Sequence, residues 1–362
     1  MTIKTNSKID ALTGLRWFAA LGVYLYHFGL PPQTPHWLAN LKHNGGLGVP
    51  FFFVLSGYVL SLRYQSSTPN FRRYLRSRFA RIGPLYLVAL FMMVIYKSIP
   101  NFPKFDIQFF THLFALQAWR DSDNGLFYNG PGWTISVEMF FYLIFPLLIL
   151  MTQKFCHTSR FSILLLIASS LVSVIPFALH VHHFKSAKSN ADGLLMEFAW
   201  PSLQPIYYVG LFMMGIASFL ASRSLSESER FKLLFGYVSS LLLVVYLVVL
   251  IWFRIDNPNY PNFSFAVKVW LLGIPCGLLF MFLTLNKTTY FSRILSSRPL
   301  KFLGEASFSF YIFHYPVHTW VTRVGATLNY NFSYLQIFML VLTFAIVMHV
   351  LIEKPLQKLI SK

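Results

Sequence analysis

Acidic side chains are scarce in this sequence: 12 Asp and Glu stand against 30 Lys and Arg, a net charge of +18 over 362 residues. Charge of either sign is thin, at 12% of residues, where soluble domains carry roughly a quarter. Polar stripes are missing too: a soluble core helix shows one along its outer face, and most of the apolar blocks here show none. The two cysteines, Cys156 and Cys276, fall in a predicted loop and a predicted span, so no disulfide framework is expected. Neither has a nearby basic partner that would make it a reactive thiolate. No internal repeat is visible, which weighs against the inverted-repeat transporter architectures. No small-residue cleavage site follows the first apolar run, and Arg16 interrupts that run. The N-terminus is therefore expected to stay as a helix and not to leave as a signal peptide.

What is present in quantity is apolar surface. The apolar set makes up 56% of residues, and it comes in blocks long enough to cross a hydrocarbon core of ~30 Å at ~1.5 Å per residue. Ten such blocks are predicted as transmembrane helices, at 11–30, 45–62, 82–99, 133–151, 161–180, 202–221, 231–253, 266–285, 301–321 and 333–352. The expected fold is an all-α integral membrane protein, one transmembrane domain over 1–362. The stretch 107–119 is too short to cross and reads as a re-entrant or interfacial segment. With the N-terminus inside, 20 of the 30 Lys and Arg fall in inward segments and 9 in outward ones. The positive-inside rule then puts both termini in the cytoplasm of a multi-pass protein of the cytoplasmic (inner) membrane. The net charge is mostly this topology signal, and nucleic acid is not an expected partner.

A charge at mid-membrane costs ~2.5–3.5 kcal/mol on insertion scales, so each one inside a span is a functional candidate. The candidates taken are Arg16 and His27 in span one, Glu138 in span four, and Glu305 and His314 in span nine. Arg16 and His27 are eleven residues apart, close to three helical turns, so they share a face roughly 16 Å apart. Arg16 snorkelling to the interface and His27 capping a buried polar contact would explain the pair equally well. Glu138, five residues after Trp133, would protonate unless a cation or donor faces it. Arg16 and His27 are its expected partners, through a contact between spans one and four.

The loop 63–81 carries six cations and every one is Arg. Cytoplasmic anchoring predicts positive charge there but not the exclusion of Lys. Arg78 and Arg81 stand i, i+3 on an expected helical extension of span three, where paired guanidiniums can clamp phosphate oxygens. His314 and His318 stand i, i+4, but no HExxH motif or third ligand accompanies them, and no metal is expected. His180, His182 and His183 are read as marking a membrane interface.

Six segments in order, from residue 12 to 355, resemble the membrane-bound acyltransferase-3 family. They are LTGLRWFAALGVYLYHF with Arg16 and His27, GGLGVPFFFVLSGYVLS from Gly45, RRYLRSRFARIGPLYL from Arg72, WTISVEMFFYLIFP from Trp133, FLGEASFSFYIFHYPV from Phe302, and IEKP from Ile352. Thr13 and Pro50 depart from the family's usual residues without touching the Arg–His pair. The resemblance implies transfer of an acyl group, usually acetyl from acetyl-CoA, to a hydroxyl of a saccharide or glycolipid across the membrane. It also implies a stand-alone member without the fused extracytoplasmic hydrolase-like domain, of the type that modifies lipopolysaccharide O-antigen or similar surface glycans. No cofactor is expected, since acetyl-CoA would be the donor substrate.

Such chemistry needs a base, a grip on the donor and oxyanion stabilisation. His27 is the expected base, Glu138 the carboxylate that orients it, and Arg16, Arg78 and Arg81 the donor-binding cations. Ser307, Ser309, Tyr311, His314 and Trp133 are weaker site candidates. Trp119, Arg120, Tyr128 and Trp133 could contact sugar, although interfacial aromatic belts look the same. Direct transfer and a covalent acyl-histidine both stay open. A proton-coupled transporter or flippase is the alternative, since intramembrane His and Glu also build proton relays.

Overall fold

The computed structural model describes residues 9–31, 33–64, 69–99, 101, 105–120, 125–155, 161–162, 164–172, 204–225 and 261–360, with the single positions 237, 241 and 248. Among these residues the ordered elements are all helical, with no strand. In chain order the helices are α1 (Asp10–Phe28), α2 (His36–His43), α3 (Gly48–Arg63), α4 (Phe71–Ser98), α5 (Ile107–Leu113), α6 (Trp133–Phe155), α7 (Val209–Leu225), α8 (Pro261–Leu285), α9 (Tyr290–Leu295), α10 (Arg298–Thr327), α11 (Tyr334–Met348) and α12 (Lys354–Ile360). Local signals start them where side chains can answer free N–H groups. Asn70 accepts from the Arg73 amide at the head of α4, and Ser333 and Gln336 form a reciprocal capping box on α11.

Five of the described helical stretches are long and apolar enough to cross a membrane: Leu38–Arg63, Phe71–Ser98, Gly130–Thr152, Pro205–Ser224 and Tyr334–Ile360. They coincide with five of the ten predicted spans. The predicted spans 11–30 and 301–321 are present as α1 and α10, which are long enough but more polar. Span 266–285 lies in α8. Span 161–180 is described only as far as 172, and 231–253 lies almost wholly outside the described residues. The segment 107–119 is the short α5 followed by a 3-10 turn at Gln117–Trp119. It is tied inward by Ser136, whose hydroxyl donates to the Ala115 carbonyl at 2.6 Å and accepts from the Ala118 amide at 3.3 Å. Burial pushes the His112 imidazole in α5 down to about 4, so it is a neutral ring beside Tyr128.

Two close helix crossings organise the bundle. Where α3 meets α7, a Cβ on Gly57 would lie 2.0 Å from the Phe212 carbonyl oxygen, and one on Gly215 2.0 Å from that of Val54. Where α1 meets α10, a Cβ on Gly304 would lie 1.8 Å from the Thr13 carbonyl oxygen. Lipid offers no hydrophobic drive between helices, so contact at this range, backbone on backbone, supplies packing instead. Aromatic rings fill the space between α3, α6 and α7, with Phe141 stacked on Phe212 at 4.6 Å and set edge-on to Phe53 at 5.4 Å. The crossing of α1 and α10 is the one that carries most of the candidate residues.

Candidate functional site

The polar residues on α1 and α10 sort by depth. Nearest the Arg63 end of the bundle, Lys301 pairs with Asp10 at 2.9 Å. One turn further along α10, Glu305 pairs with Lys354 at 3.2 Å. Beyond these pairs lies a cavity of about 720 Å³, within the ~300–1,000 Å³ range of small-molecule sites. Arg16, Arg63, Arg78 and Arg81 line it, together with Lys354 and Lys358. Its carboxylates are Glu138, Glu305 and Glu353, and its hydroxyls include Thr134, Tyr142, Ser307 and Tyr311. Three of the expected donor-binding cations, Arg16, Arg78 and Arg81, therefore share one chamber although they come from two helices.

Arg78 is the least ordinary of them. It is 5% exposed, and a buried guanidinium needs an answering anion. Its Nε donates to the Ser77 hydroxyl at 3.4 Å, and its guanidinium lies 6.0 Å from the Tyr74 ring and 5.8 Å from the Tyr142 ring. No carboxylate pairs with it among the described residues. Arg81, one turn on, also lacks a direct ion pair among them, and Pro84, with no N–H, leaves the carbonyl of Ala80 without its helical donor.

Glu138 lies in the field of Arg81, Arg16 and Arg78 and accepts from the Tyr142 hydroxyl at 3.4 Å. The expected contact of Glu138 with Arg16 is thus one of shared cavity and charge, with no direct ion pair. The expected contact of Glu138 with His27 is not made, because the two sit at different depths. The partner of His27 is His314 instead, with His27 Nδ1 and His314 Nε2 3.3 Å apart.

Their hydrogen bonds assign the tautomers. His314 Nδ1 faces the carbonyl oxygen of Tyr311, which only accepts, so His314 carries its proton there and offers a lone pair at Nε2. His27 Nδ1 lies 2.9 Å from the Val23 carbonyl oxygen, so it too is protonated and is shared between Val23 and His314. The lone pair of His27 is then on Nε2. His314 is wholly buried while His27 is exposed, with Tyr26, Phe28 and His314 around its ring. His318 stacks flat on Phe28 at 3.6 Å.

Tyr311 stands between the two places. It lines the far wall of the cavity, and its hydroxyl reaches Thr134 Oγ1 at 3.0 Å and the Pro131 carbonyl at 3.3 Å. Its ring is 5.7 Å from that of His314. Behind it, Pro316 cannot donate to Ile312, and Asn129 takes over that carbonyl through Nδ2 at 3.1 Å. Ser307 donates to the Gly304 carbonyl of its own helix, and Ser309 to Glu353. Trp133 packs between Tyr208 and Phe53 and is half-buried, while Tyr128 is buried against His112 and Phe127. Trp119, edge-on to Phe140, keeps an exposed face.

Asn129, His349 and Glu353 carried no role in the sequence. The spacing i, i+4 of His349 and Glu353 at the end of the last apolar block was the available signal.

The profile of a family described as an acyltransferase domain, acyltransferase 3, matches residues 9–352. The acyltransferase MdmB of Streptomyces mycarofaciens is 29% identical over 380 residues, covering 98% of this chain and 93% of that protein. The O-acetyltransferase OatA of Staphylococcus aureus is 24% identical, covering 86% of this chain and 51% of its own. The peptidoglycan O-acetyltransferase OatA of Listeria monocytogenes is 22% identical, covering 87% and 50%. The chain thus spans most of MdmB and about half the length of the OatA proteins. No solved structure matches.

Proposed function

Because the chain belongs to the acyltransferase-3 family and is a membrane acyltransferase, we propose that it moves acetyl from cytoplasmic acetyl-CoA to a hydroxyl of a cell-surface saccharide. The observation that carries this is the buried Arg78 guanidinium, with no carboxylate paired to it among the described residues, in a chamber shared with Arg16 and Arg81. An anion belongs there, and the phosphates of a nucleotide-based donor fit paired guanidiniums. The Arg63 end, where the cations gather, is taken as cytoplasmic and the membrane as the inner membrane. The acetyl group is supported by the O-acetyltransferase names of the OatA relatives. Lipopolysaccharide O-antigen is the acceptor to try first, and peptidoglycan, the polymer in the name of the Listeria relative, the second.

In direct transfer, His27 Nε2 takes the proton of the acceptor hydroxyl as its oxygen attacks the thioester carbonyl. The tetrahedral intermediate collapses with loss of the CoA thiolate, which recovers that proton from the imidazolium. The products are the acetyl ester and CoA thiol. His314 orients His27 by accepting from Nδ1–H, as a carboxylate does in a triad. The pantetheine arm reaches His27 from the cavity past Tyr311.

Label transfer from radiolabelled acetyl-CoA in membranes tests this, wild type against His27→Ala. General base catalysis is typically worth ~10²–10⁴-fold. Loss of transfer on that scale at unchanged protein level is expected, and normal transfer by the variant ends the proposal.

A further inference from the structure

The last long helix changes pitch in the cavity wall. His349–Glu353 form a π-helical turn between α11 and α12, and such turns recur at functional sites because they interrupt the regular ladder. The turn folds His349 Nδ1 onto Glu353 Oε2 at 2.7 Å, while Ser309, reaching over from α10, donates to the same oxygen at 2.6 Å. Oε1 is left without a hydrogen bond among the described residues.

Glu353 is 6% exposed and lines the cavity, and a carboxylate so placed is costly unless a cation answers it. His349 is not that cation for Oε1. Its Nδ1 answers Oε2 alone, and its Nε2 is buried without a partner among the described residues, so the ring does not reach the free oxygen. Lys354, the next residue, is already paired with Glu305. Arg16 lines the same cavity and lies in the field of Glu353, with the like charge of Arg81 and the carboxylate of Glu138 near it as well. No direct ion pair joins Arg16 to Glu353 among the described residues, so the carboxylate acts on the guanidinium across a gap.

We infer that Glu353, held by His349 and Ser309, is the positioning residue for Arg16. Its free oxygen draws the guanidinium off Arg81 and fixes its heading into the chamber. The inference rests on the proposal that Arg16 handles the acyl donor. It adds that the π-helical turn exists to hold one carboxylate oxygen still and leave the other working.

The test uses the full chain in membranes with radiolabelled acetyl-CoA as donor, and a cycle of Glu353→Gln, Arg16→Lys and the double variant, with protein level and thermal melting followed in each. Glu353→Gln is expected to lower transfer roughly tenfold in the wild-type background and to cost almost nothing more once Arg16 is Lys. Ser309→Ala, which keeps the charge but frees the carboxylate, should lower transfer a few-fold and show the same dependence on Arg16; it carries the test if Glu353→Gln melts early. Equal losses in both backgrounds, or no loss from either variant, overturn the inference while leaving the donor proposal intact. Full transfer by Arg16→Ala, or none from acetyl-CoA by the wild type, overturns both.

Discussion

The two ends of α1 meet opposite kinds of surroundings. Around Arg16 there is a chamber crowded with cations, hydroxyls and three carboxylates, several of them held by fixed partners. Around His27 there is one buried imidazole, a backbone carbonyl and aromatic rings, with an exposed edge. The first environment suits holding a large polyanionic molecule. The second suits keeping a single nitrogen basic and aimed. In the proposed mechanism this helix of 19 residues separates recognition of the donor from proton transfer, with Tyr311 and its hydrogen bonds between the two.

That division can be broken experimentally. Replacing both Arg78 and Arg81 by Ala should raise the donor concentration needed for half-maximal transfer by at least about a hundredfold, since hydrogen bonds to charged groups are worth ~1.5–3 kcal/mol each. Maximal rate should change less, and an unchanged dependence on acetyl-CoA concentration would move the donor elsewhere. The opposite pattern is expected of His314→Gln. Transfer should fall roughly tenfold with the donor dependence kept, because His27 loses its orienting acceptor but not its own lone pair. A shift in donor dependence there would merge the two regions into one. The smallest effect is expected of Asn129→Ala, which leaves the Ile312 carbonyl unanswered. It should cost about 1–3 kcal/mol of stability, read as a lowered melting temperature, with transfer by the remaining folded protein near normal.

Much of this arrangement was open to inspection in the chain itself, for reasons that are local. A span announces itself by length and apolar content, so α3, α4, α6 and α11 fall where hydropathy puts them. The helical extension of span three was expected from the Arg78 and Arg81 spacing, and α4 indeed begins at Phe71. Helix α2 escaped, because HWLANLKH is short and polar and lies between the predicted spans 11–30 and 45–62. The chemistry divides the same way. Arg16, Arg78, Arg81 and Glu138 betray themselves by being charged inside or beside lipid, and they do gather. What a sequence does not display is who faces whom. His27 and His314 are 287 positions apart, and Glu138 looked the better partner only because a carboxylate is the commoner companion of a catalytic histidine. Glu353 falls in the IEKP segment but carries no role there, because beside Lys354 at the end of the last span a carboxylate passes for a solvated flank.

The contact of Gly304 with Thr13 has a mechanical consequence. With the backbones of α1 and α10 this close at Gly304, no side chain fits between them, and the crossing point of the two helices is fixed by this contact. Arg16 and His27 are thereby locked in register with Ser309, Tyr311 and His314, like marks on two rulers glued side by side. Whatever opens a route along α1 cannot be a shear of this pair. In the proposed mechanism the donor's way is opened by a side-chain torsion of Tyr311, which lies between the cavity and His314.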